Sequence, residues 1–177
     1  MNLSNIVRTQ QAALFDVCEF PVDQKLKLLY RASDDGFSSD KFHEKCDGIK
    51  NTLTIIKTTN ENIFGGFTGA AWNSNNEYIH DTNSFIFSLV NQSSAPFKSK
   101  CIKNKYSICG NSSLGPIFGG YNIFNDNDIR ISSDSDSNFG SFSRLGHRYE
   151  NTEMSYSILA GSRYFQTKDI EVYEKLN

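Results

Sequence analysis

The chain has 177 residues, a formal charge of −2 and a pI near 5.9, with 38% hydrophobic and 21% charged residues. That length suits one domain burying roughly 70% of its unfolded surface. The balance of charge argues against a nucleic-acid footprint, and no apolar run reaches the roughly 18 residues needed to cross a bilayer.

The first twenty residues, MNLSNIVRTQQAALFDVCEF, lack the charged start, apolar centre and small-residue cleavage site of a secretory signal. The chain therefore reads as cytoplasmic and reduced. Leu3, Ile6, Leu14, Val17 and Cys18 recur at helical spacing and predict an N-terminal amphipathic helix ending before Pro21. Either it packs on the domain or it binds a partner. A polar connector runs from Val22 to Lys27.

The stretch LLYRASDDGFSSDKFHEKCDG, from Leu28 to Gly48, holds the most local information. A short apolar strand at Leu28–Tyr30 breaks at Asp34-Asp35-Gly36, residues that tolerate turn geometry. A helix follows, with Ser38 as N-cap, Asp40 in the first turn, and Phe37 and Phe42 at the two positions of a hydrophobic staple. Phe42 and Cys46 share a face, and Gly48 is placed to end the helix in a left-handed conformation.

From Asn51 the period changes to two. TLTIIK at Thr52–Lys57 alternates Leu53 and Ile55 against Thr52 and Thr54, and NIFGGFTGAAW from Asn62 to Trp72 is its hairpin partner. Gly65-Gly66 marks a bulge or a close backbone approach. FIFSLV at Phe85–Val90 is apolar on both faces, so it is expected to be central and covered on both sides. Further short strands are expected at YSIC from Tyr106, PIFGGYNIF from Pro116 and DIRIS from Asp128. The serine-rich Ser132–Ser143 reads as a mobile polar loop. IEVY closes the series, with Ile170 and Val172 on one face and Glu171 and Tyr173 on the other. Together these predict an α+β, mainly β fold: two antiparallel sheets in a sandwich with short flanking helices.

Candidate chemistry is sparse. Gly65-Gly66 and Gly119-Gly120 lack the surroundings of a phosphate-binding loop, and backbone geometry explains them better. His43 and Cys46 are three apart, enough for two metal ligands or an activated thiol, but no other pair completes a zinc set and Cys46 shares the buried face of Phe42. The other cysteines, Cys18, Cys101 and Cys109, form no C-x-x-C pair and read as neutral thiols. Asp134, Asp136 and Asn138 start a calcium-loop spacing that fails at Phe139 and Leu145. Glu171 is either solvated on an edge strand or, if covered, paired with Arg31, Lys41 or His43. No cofactor or metal is expected.

Taken in order, LLYRASDDGFSSDKFHEKCDG, TLTIIK, IFGGFTGAAW, FIFSL, GPIFGG and LAGSRYFQTKDIEVY resemble the TLDc domain of eukaryotic oxidation-resistance proteins, from about Leu26 to Lys175. On this reading residues 1–25 are an N-terminal helix and connector and residues 26–177 a TLDc-type domain. The resemblance implies a two-sheet sandwich, a role in protection from oxidative damage, and binding to the vacuolar proton-pumping ATPase through its peripheral sector, with no established catalytic mechanism. The positions it singles out are Gly36, Phe42, Gly48, Gly65, Gly66, Trp72, Gly119, Gly120, Gly161, Glu171 and Val172. Two departures stand out: YNIFNDN lengthens the junction after Gly120, and Tyr173 stands where many members carry Trp. The expected function is a monomeric, non-enzymatic interaction module. The rival is an enzyme, peroxide-handling or hydrolytic, with a pocket around Glu171 and His43 or Cys46.

Overall fold

In the computed structural model, which describes residues 4–92, 95–120, 126–151 and 155–177, the β-rich pattern forms two antiparallel six-stranded sheets. The elements in chain order are α1 (Gln11–Cys18), β1 (Leu26–Arg31), α2 (Ala32–Asp35), α3 (Ser39–Cys46), β2 (Thr52–Thr58), β3 (Ile63–Thr68), β4 (Glu77–Ile79), β5 (Phe85–Val90), β6 (Phe97–Lys100), β7 (Ile108–Gly110), β8 (Leu114–Phe118), β9 (Ile129–Ser132), β10 (Ser141–Ser143), β11 (Tyr164–Phe165) and β12 (Thr167–Lys175). The first sheet has the order β1-β12-β2-β3-β5-β6 and the second β11-β10-β9-β8-β7-β4.

Period-two alternation puts two cores on either side of the first sheet. Ile56, Phe64, Ile86, Ile170 and Val172 meet Ile108, Phe118, Ile129 and Ile131 of the second sheet, with Phe42, Cys46 and Trp72 in the same cluster. On the opposite face Leu53, Ile55, Phe87 and Tyr173 pack under Ile6, Val7, Leu14, Phe15 and Cys18. The first sheet is thus covered on both faces. That explains why β2 and β5 carry apolar side chains on both. β5 is an interior strand but not the middle one, since only β6 lies beyond it.

The glycine pair in β3 serves close approach rather than a bulge. A Cβ on Gly66 would lie 2.6 Å from the Phe118 ring, and one on Gly65 would lie 1.9 Å from the Thr54 carbonyl oxygen. Gly36, Gly48, Gly119, Gly120 and Gly161 all have positive φ.

Three local expectations change in the folded chain. α1 begins only at Gln11, and residues Asn5–Gln10 form bends and turns. The Ser4 hydroxyl accepts the N–H groups of Ile6 and Val7 at 3.0 Å each, a local alternative to helix. Ser38 does precede α3 with extended backbone, but its side chain makes no capping bond. Ser133 Oγ accepts the Ser39 N–H at 3.1 Å instead. Finally, Ser132–Ser143 is not one loose loop. Its last three residues are β10, and Ser135 is buried, bonded through its hydroxyl to Thr167 Oγ1 at 2.6 Å. Among the described residues no helix is long and apolar enough to cross a membrane.

Candidate functional site

β12 is the longest strand and runs between β1 and β2, so Glu171 is not on an edge. Its register sets Glu171 opposite Arg31 on one side and Ile55 on the other. Alternation with Ile170 and Val172 turns the carboxylate toward the N-terminal segment, where it is fully buried.

A buried carboxylate needs partners, and Glu171 has four donors. Oε1 accepts Arg31 Nε at 2.9 Å and the Asn5 N–H at 3.0 Å. Oε2 accepts the Ser4 hydroxyl, in a short contact, and the Tyr173 hydroxyl at 3.1 Å. Burial, and then the Glu171 charge, push the Tyr173 phenol well above its ordinary value. Arg31 was the right partner of the three nameable from sequence; Ser4 and Asn5 had no signal beyond their polarity.

His43 lies elsewhere. It is 8% exposed on α3, with Nδ1 2.8 Å from Asp47 Oδ1 and Nε2 2.8 and 3.0 Å from the carbonyl oxygens of Asn111 and Leu114. The ring therefore fastens α3 to the β7–β8 turn. Cys46 is fully buried in the inter-sheet core, and burial, with Asp47 adding, drives its thiol far above the usual range. Glu171 faces the N-terminal layer while Cys46 faces the second sheet, so the structure does not bring the three together into one pocket.

The remaining thiols are also free. Burial pushes Cys18 up to about 12 and Cys109 up to about 11, and Cys101 is half-buried. Among the described residues no three His, Cys, Asp or Glu side chains are grouped to hold a metal. In the aborted calcium spacing, Asn138 instead bonds the carbonyls of Ser133 and Asp134 at 2.9 and 2.7 Å.

The sequence-singled positions otherwise serve the core. Phe42 and Trp72 pack edge to face at 5.4 Å, and Trp72 Nε1 donates to Thr52 Oγ1 at 2.9 Å. Val172 is buried between the sheets. Gly119 sits against Asp128, whose carboxylate would be 2.1 Å from any Cβ there. Asp128 accepts the N–H groups of Gly146, His147 and Arg148 at 2.8, 2.9 and 2.8 Å. Those bonds oppose burial, which prevails and pushes Asp128 up to about 7.

Against this arrangement, residues 4–175 match the family model of the TLDc domain. The chain belongs to the TLDc family. The matched span takes in Ser4 and Asn5 as well as the strand that carries Glu171, so the whole carboxylate cluster falls within the TLDc domain. No curated protein matches the chain. The TLDc domain is a protein-interaction type of module associated with oxidative stress, and its two-sheet sandwich is the architecture seen here.

Proposed function

We propose that the chain is a non-enzymatic, monomeric, cytoplasmic interaction module that protects against oxidative stress by binding and regulating the vacuolar proton-pumping ATPase at its peripheral sector. What supports the reading is a continuous outer surface. Ser39 N–H bonds Ser133 Oγ and Asp134 N–H bonds the Phe37 carbonyl at 2.9 Å, which joins α3 to the 133–140 loop. Asp40, Lys41, Glu44 and Lys45 stand exposed on the helix, and Phe139 projects from the loop at 65% exposure. An exposed aromatic beside mixed charge is the composition that anchors protein interfaces. The junction after Gly120 that YNIFNDN lengthens falls largely at 121–125, outside the described residues.

The polar groups of the Glu171 cluster and His43 are already engaged with the chain's own atoms, which suits a structural role for both. The test is substitution of the surface: Phe139→Ala and Lys41→Ala/Glu44→Ala, assayed for affinity to the purified peripheral sector. Weakened binding with an unchanged melting temperature is expected, and wild-type affinity in both variants would refute the surface.

A further inference from the structure

The second sheet ends in a concentration of arginine that the interaction reading does not use. A cavity of about 520 Å³ opens beside β10 and β11, walled by Ser143, Arg144, Ser155, Tyr156, Ser157 and Arg163. Its frame is rigid. Ser143 N–H bonds the Arg163 carbonyl at 3.0 Å, Arg144 N–H bonds the Asp128 carbonyl at 3.1 Å, and Gly161 N–H bonds the Ser157 carbonyl at 2.8 Å. Ile158, Leu159 and Ala160, which follow Ser157, are buried in the inter-sheet core.

Among the described residues the cavity wall holds two arginines and no carboxylate. Among the described residues neither Arg144 nor Arg163 forms an ion pair; the arginine ion pairs that do occur belong to Arg31 and Arg148. Asp128 and Asp126 are engaged by other groups. Asp128 is held by three backbone N–H groups, and Asp126 pairs with Arg148 at 3.8 Å. Both guanidiniums are braced by aromatic faces, Arg144 over Tyr156 at 4.9 Å and Arg163 over Phe142 at 5.2 Å. His147 registers the local field: burial holds it below its ordinary value, and Arg144, Arg148 and Arg163 push in the same direction against Asp126.

A second, independent observation points to a ligand. Ser143 is 1% exposed and its hydroxyl has no hydrogen-bond partner. A buried hydroxyl without a partner costs free energy, and Ser143 is one of the residues that line the cavity. Two guanidiniums and three serines in one wall supply the kind of donors that a phosphate oxyanion accepts. The volume lies within the roughly 300–1,000 Å³ of small-molecule sites and exceeds what a bare anion needs. Tyr156, at 59% exposure, adds a ring against which an organic body can rest.

We propose that this cavity binds an organic phosphomonoester, its phosphate between Arg144 and Arg163 and its body against Tyr156. The inference is independent of the proposed partner, since it uses neither α3 nor the 133–140 loop.

The probes are phenyl phosphate, inorganic phosphate and phenol, each titrated into the full chain and followed by amide NMR shifts and calorimetry. Phenyl phosphate is expected to shift the amides of Ser143, Arg144, Tyr156 and Arg163 and to bind more tightly than inorganic phosphate, while phenol leaves these amides unmoved. Arg144→Gln and Arg163→Gln each weaken phenyl phosphate roughly tenfold or more, the loss of one charge-assisted hydrogen bond. The Lys variants retain part of the affinity. Ser143→Ala weakens binding with no loss in unfolding midpoint, which separates a ligand contact from a structural one. The proposal is overturned if the shifts fall elsewhere, if phenol reproduces them, if inorganic phosphate binds as tightly as phenyl phosphate, or if the double Gln variant binds like wild type.

Discussion

Ser4 and Glu171, 167 positions apart in the chain, are joined by a buried hydrogen bond between hydroxyl and carboxylate. The neighbouring Asn5 N–H and the Arg31 guanidinium reach the other carboxylate oxygen. Through these bonds the first described residues are fixed to the strand that organises the first sheet. The apolar layer of Ile6, Val7, Leu14 and Phe15 then lies over Leu53, Ile55 and Phe87.

Removing the carboxylate leaves Arg31 Nε and three neutral donors without their acceptor, while Arg31 Nη1 keeps Asp34 at 2.9 Å. Glu171→Ala is expected to destabilise the fold by about 3 kcal/mol or more, the usual cost of breaking a buried ion pair. Ser4→Ala should cost about 1–2 kcal/mol. Urea unfolding of both variants and of the double variant measures the coupling. Strict additivity would mean that the hydroxyl does not report on the carboxylate.

Asp128 makes stability depend on pH in a direction opposite to most carboxylates. Its unfolded value is near 3.9, and burial raises the folded one to about 7. The native state therefore favours the protonated form. Its contribution is complete below about pH 4 and is lost as pH rises through about 7. Asp128→Asn should be less stable overall, because one amide oxygen replaces two for three N–H donors, yet its pH profile should lack this loss. Unfolding midpoints of both proteins across that range decide the matter, and parallel profiles would contradict it.

Gly66 has no room for a methyl group. With Phe118 ring atoms 2.6–2.8 Å from the position of a Cβ, Gly66→Ala should cost about 1–3 kcal/mol as the sheets are forced apart. Phe118→Leu should recover part of that loss in the double variant. The Trp72 ring, 5.5 Å from Phe118, supplies a fluorescence readout of the same contact.

Thiol chemistry should follow burial. Cys18, Cys46 and Cys109 have raised pKa values and little access, so iodoacetamide or peroxide should leave them unmodified in the native protein. Cys101, half-buried and 3.4 Å from the Ser107 hydroxyl, should react first. Peptide mass mapping over time gives the order. Modification of Cys46 ahead of Cys101 without unfolding would show that the inter-sheet core opens.

The parts legible in the sequence are those determined locally. β2 shows its alternation within seven residues, and α3 shows its limits because Phe42, Cys46 and Gly48 act over one or two turns. β10 is different: Ser-Phe-Ser carries little strand signal and becomes a strand because β9 and β11 flank it. The burial of Glu171 was equally hidden, since the cover comes from the far end of the chain and the strand's central place from pairing with both β1 and β2. The Ser4 turn competes with the helical spacing of Leu3 and Ile6, which shortens α1. Arg144 and Arg163 stand nineteen positions apart and share a cavity only because β10 and β11 pair.

The most direct measurement is binding of the purified chain to the isolated peripheral sector of the vacuolar ATPase, with ATP hydrolysis followed in the same sample. A complex of micromolar or tighter affinity that changes hydrolysis or assembly is the predicted result. No complex, with the protein demonstrably folded by its Trp72 fluorescence, would contradict the account.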